Sequence, residues 1–233
     1  MTTRRPLLSL IVVAVAALTL ASVAQAASPR NPQVPFCTAS LQTYMNGIGE
    51  TINVATDQID AQVWKTTVSG NATFTVMLEQ AGNAALNTIG VYNGDDAAPV
   101  LFQVFPGAAT QGWYATLSFV GTTLTVSLFD NSSAYQGQTT YSGVNKSKFG
   151  FYLQGPGGTF YSQDFRNAGA KAQILTYAGT GDNFGSWWQC FEDLPYAYPD
   201  CLTDFDDTVL FIESVNPTPA LTQTWGGLKA LYR

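Results

Sequence analysis

From Ala72 to Gln80 the sequence reads A-T-F-T-V-M-L-E-Q, with Phe74, Val76 and Leu78 alternating with Thr73, Thr75 and Met77. A period of two sends successive side chains to opposite faces of a strand, so one face can be buried while the other meets water. Runs of this kind recur along the chain with turn residues between them, and this pattern limits the possible folds more than any other feature. Ala61 to Val68 comes before, separated by Gly70-Asn71. Thr88 to Tyr92 ends at Asn93-Gly94. Val100 to Phe105 follows, then Tyr114 to Val120 and Thr122 to Phe129, which flank Gly121 as a hairpin. Phe149 to Leu153, Phe160 to Tyr161, Ala172 to Ala178 and Asp207 to Glu213 complete the series. Roughly ten short strands with turn signals between them predict an all-β fold, a β-sandwich or jelly-roll-like single domain. One short helix is expected near Leu41 to Ile48.

The front of the chain reads differently. Arg4 and Arg5 precede an almost wholly apolar run, Leu7 to Leu20, and Ala24-Gln25-Ala26 fits a small-x-small cleavage site. Residues 1–26 are therefore expected to be a secretory signal peptide. The apolar run is short of the ~20 residues a membrane span requires, so no span is expected after cleavage. Residues 27–40 form a polar, proline-rich leader, 41–215 the sandwich domain and 216–233 a C-terminal tail. The tail carries Trp225, Leu228, Leu231 and Tyr232. It is expected to be a tail docked on the sandwich or disordered, with an export or surface-sorting tag as the alternative.

Charge and residue usage narrow the function. Signal cleavage would take two of the ten basic residues and none of the sixteen acidic ones, moving the net charge from −6 to −8. Nucleic acid and anionic membrane surfaces both need cationic patches and are not expected partners. The chain has no histidine. That removes Ser-His-Asp and Cys-His catalysis and the usual zinc sites, leaving a carboxylate-pair glycoside hydrolase among the few hydrolase classes open to it. Gly155-Pro156-Gly157-Gly158 lacks the lysine and the helix of a phosphate loop and reads as a tight turn. The triplets starting at Asn71, Asn131 and Asn145 mark exposed turns.

The acidic residues are unevenly placed. Eight of the sixteen, Asp182, Glu192, Asp193, Asp200, Asp204, Asp206, Asp207 and Glu213, fall between Asp182 and Glu213, and no Lys or Arg occurs between Lys171 and Lys229. Aromatic and aliphatic residues are interleaved with them, so the acids belong to a buried strand and not to a floating tail. Carboxylates held together must protonate or meet a cation. Outside the cell the natural hard cation is calcium, which takes six to eight oxygens at about 2.3–2.6 Å. The candidate metal ligands are Asp193, Asp204, Asp207, Glu192 and Asp206. If this part is extended, alternation sends Asp204 and Asp206 to one side and Asp207 to the other. The competing reading is that these acids cap turns and keep the surface soluble.

In an exported chain with three cysteines, two are expected to pair. Cys190 with Cys201 is the favoured bridge, closing a short loop worth roughly 2–3 kcal/mol; Cys37 with either is the rival. Trp188, Tyr196 and Tyr198 are candidates for stacking on sugar rings, set against the commoner fate of tryptophan as core.

Several of these motifs resemble one family. Asn87-Thr88-Ile89-Gly90-Val91-Tyr92, Phe149-Gly150-Phe151-Tyr152-Leu153, and Thr159-Phe160-Tyr161-Ser162 followed by Asp164 and Asn167 are similar to strand and turn motifs of the bacterial secreted family known as domain of unknown function 4114. Phe191-Glu192-Asp193-Leu194 and Asp204-Phe205-Asp206-Asp207 are similar to its acidic motifs, and the likeness runs over about 87–213. The first Asp of the family's acidic motif falls at Leu202 here, with Asp200 two residues earlier. The resemblance implies a secreted or surface-exposed β-rich domain with a calcium-binding acidic motif and no established enzymatic activity. The expectation is thus a non-catalytic, calcium-binding binding module of the cell surface or matrix, with an extracellular glycan or surface protein as partner. A purely structural surface component is the alternative.

Overall fold

The computed structural model describes residues 27–36, 38–195 and 204–218. The chain is nearly all β, two antiparallel sheets packed face to face. In chain order it has a helix α1 (Ser40–Gly47) and strands β1 (Val63–Thr66), β2 (Asn71–Glu79), β3 (Thr88–Asn93), β4 (Leu101–Phe105), β5 (Tyr114–Val120), β6 (Thr123–Phe129), β7 (Tyr135–Tyr141), β8 (Phe149–Gly155), β9 (Gly158–Tyr161), β10 (Ile174–Ala178), β11 (Trp187–Phe191), β12 (Thr208–Glu213) and β13 (Val215–Thr218). The larger sheet runs β10-β11-β12-β2-β5-β6-β7. The smaller runs β13-β1-β8-β3-β4, with β9 paired to β8.

The alternation in β2 is realised as read: Ala72, Phe74, Val76 and Leu78 are buried while the residues between them are not. Between the sheets lies the main core, in which Trp64, Phe74, Val91, Phe149, Phe151, Leu210 and Ile212 are buried. The Trp64 indole meets Phe151 and Trp187 edge-on, at 5.5 and 5.6 Å between ring centroids. Burial of this much aromatic surface is the main driving force for closing the two sheets.

A second core lies on the outer face of the larger sheet. Val34, Leu41 and Met45 cover Leu175, Tyr177, Trp188, Cys190 and Val209. The expected leader, over its described residues 27–36 and 38–40, therefore packs as part of the domain. Pro29 bridges to Ile59, and the main-chain N–H of Val34 donates to Gln58 Oε1 at 2.8 Å. The buried Arg30 pairs with Asp164 at 2.6 Å. This strap and helix stop at β2, where the Tyr44 hydroxyl donates to the Met77 carbonyl at 3.0 Å.

Three strands have no counterpart in the sequence reading. β7 is exposed along most of its length, so no face of it alternates. β11 is buried on both faces, with Gln189 set among Trp187, Trp188, Cys190 and Phe191, so it shows no alternation. β13 contains Pro217, which suits an edge strand paired only with β1. The segment Asn216–Thr218, assigned to a tail by sequence, thus belongs to the smaller sheet. Residues 1–26 and 219–233, the expected signal and most of the tail, lie outside the described residues. Among the described residues no helix is long and apolar enough to cross a membrane.

Candidate metal centre

The antiparallel pairing of β11 with β12 sets Phe191 against Thr208, and that of β12 with β2 sets Thr208 against Glu79. The chain leaving β11, the chain entering β12 and the chain leaving β2 therefore meet at one end of the larger sheet. Glu192 and Asp193 follow β11 directly, and Asp207 immediately precedes β12. One carboxylate oxygen from each of Glu192, Asp193 and Asp207 lies within 4.8 Å of the other two. Glu192 and Asp193 are buried and Asp207 is half-buried.

The backbone holds the three acids in place. The main-chain N–H of Asp193 donates to Asp207 Oδ2 at 2.7 Å. The N–H groups of Gln80 and Ala81 both donate to the Asp207 carbonyl, at 2.8 and 3.1 Å. Glu192 N–H donates to the Gln173 carbonyl at 3.0 Å. Two amides reach Asp193 Oδ2 from the loop between β2 and β3: Asn87 at 2.9 Å and Asn83 at 3.3 Å. The β8–β9 hairpin packs against the same place. A Cβ on Gly157 would lie 2.2 Å from the Asp193 carbonyl oxygen, and one on Gly155 would lie 2.0 Å from Asn87 Oδ1. The glycine run that is not a phosphate loop thus allows the hairpin to approach the acidic cluster.

The electrostatics are those of crowded carboxylates. Burial, and then the charges of Asp207 and Asp204, push the Glu192 carboxyl up to about 8. Burial and the charges of Asp193 and Asp204 raise Asp207, against the hydrogen bond from the Asp193 N–H. Glu79 beside them is also raised, first by burial; its Oε2 accepts from the Thr208 hydroxyl at 2.7 Å. Among the described residues the ion pairs run from Arg30 to Asp164 and from Lys148 to Asp95, and neither involves this cluster.

The five acids singled out by sequence separate into two groups. Glu192, Asp193 and Asp207 converge. Asp204 is next to them, its N–H 3.3 Å from Glu192 Oε2, but it is not one of the three. Burial and the neighbouring Asp206 raise its carboxyl. Asp206 is buried and outside the cluster. Alternation would place Asp204 and Asp206 on one side only in an extended segment. The chain is not extended there: Phe205 has φ +55, a left-handed conformation unusual for a bulky side chain. Its ring is fully buried in the second core, 5.8 Å from Phe36. That anchorage turns the chain between Asp204 and Asp207.

Other expectations are corrected. Trp188 is not a sugar platform: its ring is buried against Phe211, and its Nε1 donates to Glu50 Oε1 at 2.8 Å. Cys190 is a free thiol, fully buried in the second core, where a bridge to Cys201 was expected. Its β-strand neighbours Leu175 and Val209 flank it on either side. Tyr196, Tyr198, Cys37 and Cys201 lie outside the described residues. The sequence reading missed Asn83, Asn87 and Glu79. Their only signal was the loop of small and amide residues, Ala81 to Asn87, placed after a strand that carries an acid at its end.

Fold and site together define a two-sheet sandwich with a partly buried acidic cluster at one end of the larger sheet. No family model and no curated protein matches the chain. The likeness to domain of unknown function 4114 therefore rests on its motifs, chiefly Phe191 to Leu194 and Asp204 to Asp207. Among solved structures the chain is similar to an alginate lyase from Pseudomonas aeruginosa at 8% identity and a TM-score of 0.14, over 67% of this chain and 62% of that one. It spans less than two thirds of the lyase, and a similarity that low carries no argument.

Proposed function

We propose that the chain is an exported, non-catalytic β-sandwich that holds calcium through Glu192, Asp193 and Asp207 and serves as a cell-surface or matrix binding module. The observation behind this reading is the convergence of three carboxylate oxygens within 4.8 Å of one another. Oxygens around a calcium ion lie about 2.4 Å from it, so opposite ligands sit ~4.8 Å apart and closer ones less. The donors are all oxygen, which suits a hard cation over zinc or copper. Asn87 Oδ1 is buried and without a hydrogen-bond partner. Turning that amide over would replace its donation to Asp193 Oδ2 with an oxygen facing the cluster, a further ligand for an ion held there. Asp204, whose N–H lies 3.3 Å from Glu192 Oε2, is near enough to add another.

The cluster also admits a carboxylate-pair hydrolase, because burial and mutual repulsion raise both Glu192 and Asp207, so one can keep a proton beside the other's charge. The two readings separate in one experiment. The secreted form is dialysed against chelator, and calcium is titrated in by calorimetry. A saturable heat that Asp207→Asn abolishes, with no reducing ends released from polysaccharides, supports the binding module. No heat, together with hydrolysis lost in Glu192→Gln, supports the enzyme.

A further inference from the structure

The N-terminal strap and α1 cover the outer face of the larger sheet only as far as β2, and the rest of that face, from β2 through β5 and β6 to β7, is open. Register aligns Thr73, Thr116, Ser127 and Gln138 in one row across those four strands. Gln138 Nε2 donates to Ser127 Oγ at 3.0 Å, while the hydroxyls of Thr73 and Thr116 make no hydrogen bond among the described residues. These four residues line a shallow groove of about 370 Å³. Beside this row runs a second, aromatic one. Tyr114 and Phe129 stack at 4.9 Å between centroids, and Tyr135 meets Phe129 at 5.8 Å with 61% of its surface exposed.

We infer that this open face is a binding platform for a neutral polysaccharide. A sheet surface presents a side chain every ~4.8 Å across the strands, so a flat row of hydroxyl and amide groups can pair repeatedly with the hydroxyls of an extended glycan. The aromatic row supplies apolar surface for the faces of sugar rings. In a chain with sixteen acidic and ten basic residues, neither row carries a charge. That fits an uncharged ligand and offers nothing to a polyanion. A protein partner would need a more apolar centre than a row of threonine, serine and glutamine provides. The inference deepens the binding-module reading by naming its ligand class, and it places the platform apart from the acidic cluster.

The test is retention of the purified secreted form on insoluble cellulose, mannan, xylan and starch, with alginate gel as the charged control, in calcium and in chelator. The proposal expects retention on at least one neutral polymer, a loss of tenfold or more in Tyr135→Ala and in Thr116→Asp with melting temperatures unchanged, and little difference between calcium and chelator. Asp207→Asn should still be retained, so loss of metal binding and loss of glycan binding are read separately. No retention on any neutral polymer, or retention that neither platform variant reduces, would overturn it.

Discussion

The main-chain N–H of Asp193 donates to the Asp207 carboxylate at 2.7 Å, linking the exit of β11 to the entry of β12. The bond fixes two acidic residues, fourteen positions apart in sequence, into one concentration of negative charge. An ion pair offsets such crowding in many proteins; here the described residues supply amides and main-chain N–H groups, which neutralise only in part. The remainder must come from protons or a cation.

This makes a pH prediction. Glu192, Asp204 and Asp207 have folded-state values above those of ordinary carboxylates, so between the two ranges the folded chain keeps protons that the unfolded chain releases. Stability then falls as pH rises, with the whole loss in place once pH passes the raised values. In chelator, the melting temperature should decline from about pH 5 to about pH 8, and calcium should remove the decline. A melting temperature that climbs over that range in chelator would contradict the arrangement.

Glu50 should behave in the opposite sense. Burial alone would raise it, but donors from the Thr180 hydroxyl and N–H, Asn183 and Trp188 lower it overall. The Asn183 and Trp188 bonds to Oε1 are 2.7 and 2.8 Å. Its contribution is present above the ordinary glutamate range and is lost as pH falls through the depressed value. Glu50→Gln turns an acceptor-only group into one that carries two donors, facing four N–H and O–H groups. A loss of about 2–4 kcal/mol is expected in urea unfolding, without effect on calcium binding.

How much of this was legible in the sequence depends on what each residue faces. β2, β5 and β6 declare themselves because one face is buried and the other is not. β11 hides because both faces are covered, by the main core and by the N-terminal strap, and that strap is 150 residues distant in sequence. The same cover explains Trp188, whose aromatic character pointed to ligand while its packing makes it core. Composition pointed to the two segments, Glu192-Asp193 and Asp204 to Asp207, from which the converging carboxylates come. It could not select Asp207 over Asp206, because the turn at Phe205 depends on a buried contact with Phe36.

The β8–β9 hairpin gives a steric test. Any side chain on Gly157 collides with the Asp193 carbonyl, and backbone cannot move aside as a flexible side chain can. Gly157→Ala should cost about 1–3 kcal/mol and weaken calcium binding as well, since the strain falls on a ligand's own main chain. Gly47→Ala, at the end of α1, where an added Cβ meets nothing, is the control that should leave calcium binding unchanged.

Cys190 should resist alkylation in the native chain. Its burial, and then the nearby Asp206, push the thiol well up from its ordinary range, so little thiolate forms. Iodoacetamide should label it only after unfolding in denaturant. A peptide map that finds Cys190 bridged to Cys201 or Cys37 without reduction would show that the thiol is not free.

The most direct measurement is the calcium titration of the chelator-treated chain lacking residues 1–26, read both as heat and as melting temperature. The account predicts one saturable site. At calcium a hundredfold above the dissociation constant, stabilisation should be about 2.7 kcal/mol, and the melting temperature should rise by about 5–10 °C. Asp207→Asn should lose both effects. No heat and no shift in the wild-type chain, at any calcium concentration up to several millimolar, would contradict it.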